Sequence, residues 1–525
     1  DQADVVGLLY RLINDGSQRQ LILQAPTGIG KSIIAYALAE MIRCRTGEGY
    51  YISTPMIQLQ DQYESSFPSL TKVMGRPNFF CKVENNVRCS DAKCTIQSLK
   101  FNCPHRGVCP YEQQKVRGEA SLRTLSNTAY IFNSQRTPSF PTRIFGVIDE
   151  CHLTPGVVLS MSEVMLRYKD VAQWYGGVPR TRNKSEWKEI VSEMMRSLQD
   201  ALEEHENLIH VLSRQELQVI EKLAANLTLL QEAVLSSEYV KIFYDEDNAR
   251  ILFKPVTLGG LVRHYLERYA EIVLLMSATT GPPHRYGWKD EETAFVDVVD
   301  SPFPLENRKI IYTPCGRMSA KSKEKTFPKV LEKCREIVFR NKDKRGLIIT
   351  SSHANRQRIF EELTKKFPDR IMTHSSTNFS EQWSLFLSLK NRPLVFVTTR
   401  YEGLDLPGNL GEFLIFTKVP YSAIDDYMRE RLRYEQSRFI DSVGCPDFDP
   451  NDDGLCSKQV WCGKCVKFYA EETAEKIIQG LGRIVRTPKD RAELIILDSS
   501  FKAFYNRWRF LFSKYIQEAV ADEGK

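Results

Sequence analysis

The sequence lacks any apolar run long enough to cross a bilayer. Stretches such as Ile272–Met276 and Leu494–Leu497 are strand-length, whereas a membrane helix needs about 20 apolar residues. No leader-like segment opens it, so no membrane is expected and an intracellular location, cytoplasm or nucleoid, is. It contains no internal repeat of short period and no long low-complexity linker, which leaves compact domains as the organising unit. It also lacks a strong charge imbalance: a net charge of +6 over 525 residues permits nucleic-acid binding without demanding it. Hydrophobic residues at 42% and charged residues at 26% supply real cores, for about three or four domains at usual domain size.

Cysteine is abundant. Of thirteen cysteines, Cys81, Cys89, Cys94, Cys103 and Cys109 form one group, and Cys445, Cys456, Cys462 and Cys465 form another. In a reducing compartment such clusters read as metal ligands rather than as a disulfide framework.

Along residues 1–74, Leu21–Gln24 and Tyr50–Ser53 read as parallel strands, each followed by a helix. Residues 75–115 break that rhythm with Cys, Asn, Lys and Arg and little apolar periodicity, so this stretch needs a cross-link to fold. The strand pattern resumes at Ala129–Phe132 and Arg143–Ile148, within 116–154. From 155 to 255, Glu186–Glu204 and Arg214–Ser237 carry the three- and four-residue apolar spacing of long amphipathic helices, which predicts a helical insertion. Residues 256–300 complete the first α/β unit with a strand at Glu271–Met276. Residues 301–525 form a second unit with strands at Gly346–Thr350, Leu394–Thr398, Phe413–Phe416 and Leu494–Leu497.

Ala25-Pro26-Thr27-Gly28-Ile29-Gly30-Lys31-Ser32 follows a strand and opens a helix, the setting of a P-loop. Gly28 and Gly30 let the backbone curl so that its N–H groups face phosphate, and the helix N-terminus adds a favourable dipole. Lys31 is expected on the β- and γ-phosphates of ATP and the Ser32 hydroxyl on Mg²⁺. Asp149-Glu150 ends an apolar strand; Asp149 is placed to hold Mg²⁺ through water and Glu150 to orient or deprotonate the attacking water. His152 is expected to link this site to Ser277–Thr279. Cys151 is assigned to packing.

These residues, with others in the same order along most of the chain, resemble the superfamily 2 helicases of the XPD and DinG type. Gln2 stands where the family's adenine-reading glutamine lies, and Gln24 through Gly28 matches the flank of its P-loop. Ser53-Thr54-Pro55 with Leu59-Gln60-Asp61-Gln62 looks like the motif that holds the nucleic-acid backbone. Asp149-Glu150-Cys151-His152 is a DECH form of the DEAH or DEGH box, and Ser277-Ala278-Thr279-Thr280 matches the coupling motif. Ser301 through Asn307 looks like the start of the second motor domain. Tyr401-Glu402-Gly403-Leu404-Asp405 is similar to motif V, and Gln479-Gly480-Leu481-Gly482-Arg483-Ile484-Val485-Arg486 to motif VI. Arg483 and Arg486, three apart on a helix, can both face the γ-phosphate from the opposite domain, as an arginine finger does.

The resemblance implies two RecA-like P-loop motor domains, with a cysteine-rich iron–sulfur insertion and a helical arch-like insertion in the first. Asn78-Phe79-Phe80-Cys81 resembles the setting of the first cluster ligand, and Cys103 through Tyr111 that of the last two, Cys103 and Cys109. The remaining ligand is Cys89 or Cys94, and Asp91-Ala92-Lys93-Cys94 sits in the more typical place. Four thiolates suit a 4Fe–4S cluster; Zn²⁺ accepts the same set, and spacing does not separate them. The second group departs from the family. Cys462-Gly463-Lys464-Cys465 is a knuckle of the kind zinc uses, and Cys445 and Cys456 complete a four-ligand set that competes with four free thiols in a loop at 445–465. The acidic turn at Asp449–Gly454 does not complete a calcium loop, because Val460 stands where the closing glutamate belongs.

The implied activity is ATP-dependent 5′→3′ movement of a monomeric motor on single-stranded DNA, with unwinding at forks. Thr54, Asn133 and Tyr401 are candidate strand contacts, although core packing accounts equally well for the aromatics. An RNA helicase and an ATPase that remodels nucleic-acid complexes without unwinding share the same ATP site. No loading partner is indicated.

Overall fold

Parallel sheets covered by helices on both faces bury each strand twice, so their strands read as short, continuous apolar runs. Two such sheets organise this chain. The structure, a computed structural model, describes residues 2–521 except 17, 27, 97–101, 136–138, 205–212, 299–302, 320, 402–403, 405, 407, 444–466, 483 and 486–488.

The first domain contains β1 (Gln20–Gln24), β2 (Tyr50–Thr54), β3 (Thr71–Val73), β4 (Arg123–Asn127) and β5 (Arg143–Asp149). An insertion then carries β6 (Val164–Arg167), β7 (Val240–Asp245) and β8 (Arg250–Pro255). The chain returns with β9 (Ala270–Ser277) and β10 (Thr293–Asp297) to complete a parallel sheet in the order β10-β1-β9-β5-β2-β4-β3. The second domain has β11 (Ile310–Gly316), β12 (Gly346–Ile349), β13 (Ile371–Thr373), β14 (Val395–Thr398), β15 (Phe413–Phe416), β16 (Glu493–Asp498) and β17 (Val520–Ala521). Their order is β13-β14-β12-β15-β16-β11-β17, again parallel.

Strand order is what assembles the site. β1, β9 and β5 are neighbours in register, with Gln24 beside Ser277 and Met276 beside Asp149. Three segments far apart in sequence, those following Gln24, Asp149 and Ser277, therefore emerge together at the carboxyl edge of the sheet, where open α/β sheets bind ligands. β5 needs a glycine at its centre. A Cβ on Gly146 would lie 2.3 Å from the Tyr269 ring, and that tyrosine, fully buried, donates to the Val147 carbonyl at 2.8 Å and bonds Ser53 Oγ at 3.0 Å.

Two expectations are corrected. Ala129–Phe132 is not a strand: the strand is β4, and residues Thr128–Ser134 form a helix. Asn127 caps that helix by accepting from the Ala129 amide at 3.0 Å. A four-residue apolar run does not distinguish the two states, and the Asn-Thr pair ahead of it is the start signal that decides. The insertion is also not purely helical. Its core joins the helices Lys184–Glu204 and Arg214–Glu232 to an antiparallel sheet in the order β6-β8-β7. The helix Thr154–Ser162, at the expected beginning of the insertion, packs Val158 into the first domain instead.

The cysteine-rich segment behaves as its composition requires. Among its described residues it has the short 3₁₀ turns Arg76–Asn78, Lys93–Thr95 and Arg106–Val108, the start of the helix Pro110–Ala120, a single bridge between Phe80 and Arg88, and a small buried set of Cys89, Ala92, Ile96 and Tyr111.

Candidate active site

Gly28 and Gly30 both adopt the left-handed region, at φ 81° and 86°, which a side chain would strain. Gly30 is also crowded: a Cβ there would lie 2.2 Å from the amide nitrogen of Gln2. Gln2 donates to the Ile29 carbonyl at 2.8 Å, which places the expected adenine-reading residue against the P-loop. Lys31 opens the helix Lys31–Thr46 and turns its Nζ back onto the carbonyls of Ala25 and Pro26, each at 3.2 Å.

Across from the loop, Asp149 is 3% exposed at the end of β5. The Tyr63 hydroxyl donates to its Oδ2 at 2.9 Å and lies beside the Ser32 side chain. Sequence reading misses Tyr63. It lies on the helix Ile57–Ser66, fully buried, and looks like any core tyrosine in a pattern of apolar spacing. It ties together the hydroxyl and the carboxylate expected to serve Mg²⁺. These oxygen donors suit that hard cation.

Burial, followed by repulsion from Glu150, pushes the Asp149 carboxyl up to about 6, with Lys31 opposing. An unfolded aspartate titrates near 4, so the folded chain takes up a proton below about 6 and holds a buried charge above it. The nucleotide-free protein should therefore lose stability as pH rises through about 6. Asp149→Asn is expected to abolish hydrolysis yet raise the melting temperature at pH 8 by roughly 3–6 °C, on the order of 2 kcal/mol. That gain should shrink towards pH 4, and equal melting of both proteins at pH 8 would contradict it.

Glu150 occupies a left-handed conformation, φ 53°, which turns its carboxylate towards β9. Ser277 Oγ donates to Glu150 Oε2 at 3.1 Å, and His152 Nδ1 lies 2.8 Å from the same hydroxyl. Because Ser277 has one proton and gives it to Glu150, Nδ1 is the protonated nitrogen of His152. The expected link from His152 to the Ser277 motif is thus present. Ser277 Oγ also accepts from the Thr279 amide at 3.2 Å. Thr279 Oγ1 in turn accepts from Gln479 Nε2 at 2.8 Å, on the second-domain helix Lys467–Leu481. A partly buried ion pair, Arg285 to Glu475 at 2.7 Å, reinforces the same junction. Cys151 packs as expected, its thiol 3.3 Å from the Tyr286 hydroxyl.

Of the candidate strand residues, Asn133 is exposed and Thr54 is fully buried. Tyr401 stacks on Phe416 with ring centroids 5.9 Å apart, and burial raises its hydroxyl pKa. Thr27, Asp405, Arg483 and Arg486 lie outside the described residues, as do Cys445, Cys456, Cys462 and Cys465.

All five cysteines of the first group line one cavity of about 150 Å³, together with Arg76 and Glu112. Cys89 is 3% exposed, and burial together with the Cys109 and Cys81 thiols pushes its own thiol up to about 12. Burial also raises the Cys94 thiol, with Arg76 opposing. Both candidates for the remaining ligand therefore reach the cavity. Among the described residues no three His, Cys, Asp or Glu side chains converge on a point suited to a single ion; the thiols surround the cavity instead. Arg214, at the start of an insertion helix, makes a paired ion contact with Glu84 of this segment at 2.8 and 2.9 Å.

Comparison with known proteins agrees with this geometry. Residues 336–519 match the family described as helicase C-terminal domain. The chain is 22% identical over 275 residues to the ATP-dependent DNA helicase DinG of Photobacterium profundum, an alignment covering 48% of this chain and 35% of that protein. It thus spans about a third of the curated relative's length. A solved XPD helicase superposes with a TM-score of 0.64 at 14% identity, covering 97% of this chain and 98% of the other. The Xpd4 protein of S. tokodaii gives 0.61 at 14% identity, covering 99% and 98%. These likenesses give the fold: two RecA-like domains in the XPD arrangement.

Proposed function

We infer that this chain, an XPD/DinG-type superfamily 2 helicase in its fold and its C-terminal domain, is an ATP-dependent DNA helicase moving 5′→3′ on single-stranded DNA. One observation carries the reading: the hydrogen-bonded line Glu150–Ser277–Thr279–Gln479. It joins the carboxylate beside the attacking water to a helix of the opposite domain. A change at the γ-phosphate is therefore felt where the two domains meet, which is what converts hydrolysis into relative motion.

In this reading Gln2, Thr27, Gly28, Gly30, Lys31, Ser32 and Asp405 hold ATP. Asp149 and Ser32 hold magnesium, whose charge offsets that of the phosphates. Glu150 orients water, and Gln479, Arg483 and Arg486 complete the site from the second domain on closure. Cys81, Cys94, Cys103 and Cys109 hold a 4Fe–4S cluster, with Cys89 the alternative to Cys94. The support is five thiols around one cavity in a segment with almost no core of its own. Zinc at Cys445, Cys456, Cys462 and Cys465 rests on their spacing alone. The Arg214–Glu84 contact joins the arch to the cysteine-rich segment, so the two can enclose a strand between them. Exposed Asn133 and the motif residue Tyr401 are assigned to the strand side, whereas fully buried Thr54 has no surface to offer a strand. The motor is assigned as an intracellular monomer.

Forked duplexes with a 5′ or a 3′ single-stranded tail, in DNA and in RNA, test this directly. ATP-dependent separation of the 5′-tailed DNA fork is expected. Separation of only the 3′-tailed or only the RNA fork overturns polarity or substrate. DNA-stimulated hydrolysis without any strand separation replaces the helicase with a remodelling ATPase.

A further inference from the structure

The junction between the two motor domains does not close completely. Beside the contact of Gln479 with Thr279 lies a cavity of about 340 Å³, within the range that takes organic ligands, about 300–1,000 Å³. The first domain contributes His152 and the apolar Leu153, Pro155 and Leu159 to its walls. The second domain faces them with Phe468 and with a row of acids on the helix Lys467–Leu481, Glu471, Glu472 and Glu475.

The cations on these walls are already engaged. Arg285 pairs with Glu475 at 2.7 Å, Arg431 with Glu472 at 3.1 Å, and Lys476 donates to Ser422 Oγ at 2.7 Å. Two acceptors are less well served. Glu471 has a side chain only 14% exposed, and its ion partner Lys467 stands 3.7 Å away, itself 56% exposed. So loose and solvated a pair offsets little of the cost of burying a carboxylate. Burial accordingly raises the Glu471 pKa, with Arg285 and Lys467 opposing. The other acceptor is His152. Its ring proton sits on Nδ1, at Ser277, so Nε2 carries a lone pair. That nitrogen is buried without a hydrogen-bond partner, in a residue 6% exposed. An acceptor left unmade in such a place is costly, and a donor entering the cavity would remove that cost.

The surroundings therefore select a ligand that is a hydrogen-bond donor, positive at one end and apolar at the other. Guanidinium and amidinium heads carry several N–H groups in one plane, which match a carboxylate two at a time. Leu153, Leu159 and Phe468 can cover an apolar body. The same acids repel phosphate, so the space does not suit a nucleic-acid backbone.

We propose that this cavity is a regulatory site for a small organic cation of the guanidinium or amidinium class, held between Glu471 of the second domain and His152 of the first. Its effect, though not the binding itself, rests on the ATP-motor reading above. Both anchors adjoin the line that couples the domains: His152 through Ser277, and Glu471 on the helix that carries Gln479. A cation gripped from both sides favours one arrangement of the domains and slows the movement that each turnover requires.

Isothermal titration of the full chain tests it with two probes, benzamidine, an amidinium on an apolar ring, and agmatine, an aliphatic guanidinium. Benzamidine is expected to bind with a dissociation constant of about 1 mM or tighter, the range open to so small a ligand. It should lower kcat for ATP hydrolysis without raising KM for ATP, and neutral benzamide should do neither. Glu471→Gln keeps the shape and removes the charge. It should weaken binding about tenfold or more, the usual loss for a hydrogen bond to a charged group. A second variant guards against a folding defect in the first. Gly156 is exposed at the rim, and a Cβ there meets nothing within 4 Å. Leucine is also the better helix former, so Gly156→Leu should fold and should block binding by filling the mouth. Failure of both probes to bind the wild type, or undiminished binding by the two folded variants, overturns the site. Inhibition that excess ATP relieves puts the probe in the nucleotide site and overturns it as well. A wild type that binds benzamidine but hydrolyses no ATP keeps the cation site and removes the motor reading from which its effect follows.

Discussion

Lys31→Ala is expected to lower ATP hydrolysis by about 10³-fold or more, with the chain still folded and still binding a strand. Lys31 Nζ sits on the carbonyls of Ala25 and Pro26. Those contacts hold the loop closed and are weaker than ones to a triphosphate, so the ammonium has a better partner waiting. It also opposes the upward shift of the buried Asp149 carboxyl, and its removal leaves two acids beside incoming phosphates with less positive charge to balance them. Alanine is a good helix former at the first position of Lys31–Thr46, so the fold should tolerate the change. Phosphate release measured with and without single-stranded DNA, alongside a thermal melt, checks it. Activity within about tenfold of wild type would remove Lys31 from the site and the motor assignment with it.

The parts of this site that are legible in the sequence are those where chemistry forces a local pattern. A loop that wraps phosphate needs left-handed glycines before a lysine, and Gly28, Gly30 and Lys31 show it. A strand buried on both faces needs consecutive apolar residues, which is why β5, β9, β12, β14 and β15 can be read at nearly their observed limits. The strands that escape such a reading lack that signal. β3 and β13 are only three residues long, Thr-Lys-Val and Ile-Met-Thr, and β10 buries only Thr293 among its five residues. The antiparallel strands β7 and β8 lie close behind strongly periodic helices, whose pattern masks them.

Roles that depend on a long-range partner leave no local trace. Tyr63 reads as one more core aromatic until its hydroxyl is seen on Asp149, 86 residues away. The role of His152 is legible because its partner motif, Ser277–Thr279, is itself recognisable.

Cys103→Ser is expected to release iron and acid-labile sulfide from purified protein and to abolish unwinding, while DNA-stimulated ATP hydrolysis persists. The separation follows from where the thiol sits. Cys103 lines the cysteine cavity, in a segment held by short turns, one bridge and the few buried side chains of Cys89, Ala92, Ile96 and Tyr111. A segment with so little apolar burial is folded by its cross-link, as small metal-stabilised domains are. The ATP site is built on β1, β5 and β9, whose packing owes nothing to that cavity. Loss of one ligand should therefore loosen residues 75–115 and the Arg214–Glu84 contact to the arch, leaving the hydrolysis machinery assembled. Limited proteolysis should show a new cut inside 75–115 and none in the two sheets. Repeating the metal and sulfide analysis on Cys89→Ser and Cys94→Ser identifies the remaining ligand, since the true ligand loses iron and the spare thiol does not. Zinc at one equivalent with no sulfide in the wild type would replace the cluster with a structural zinc site. Equal unwinding by a Cys103→Ser protein that has lost its metal would remove the segment from strand separation altogether.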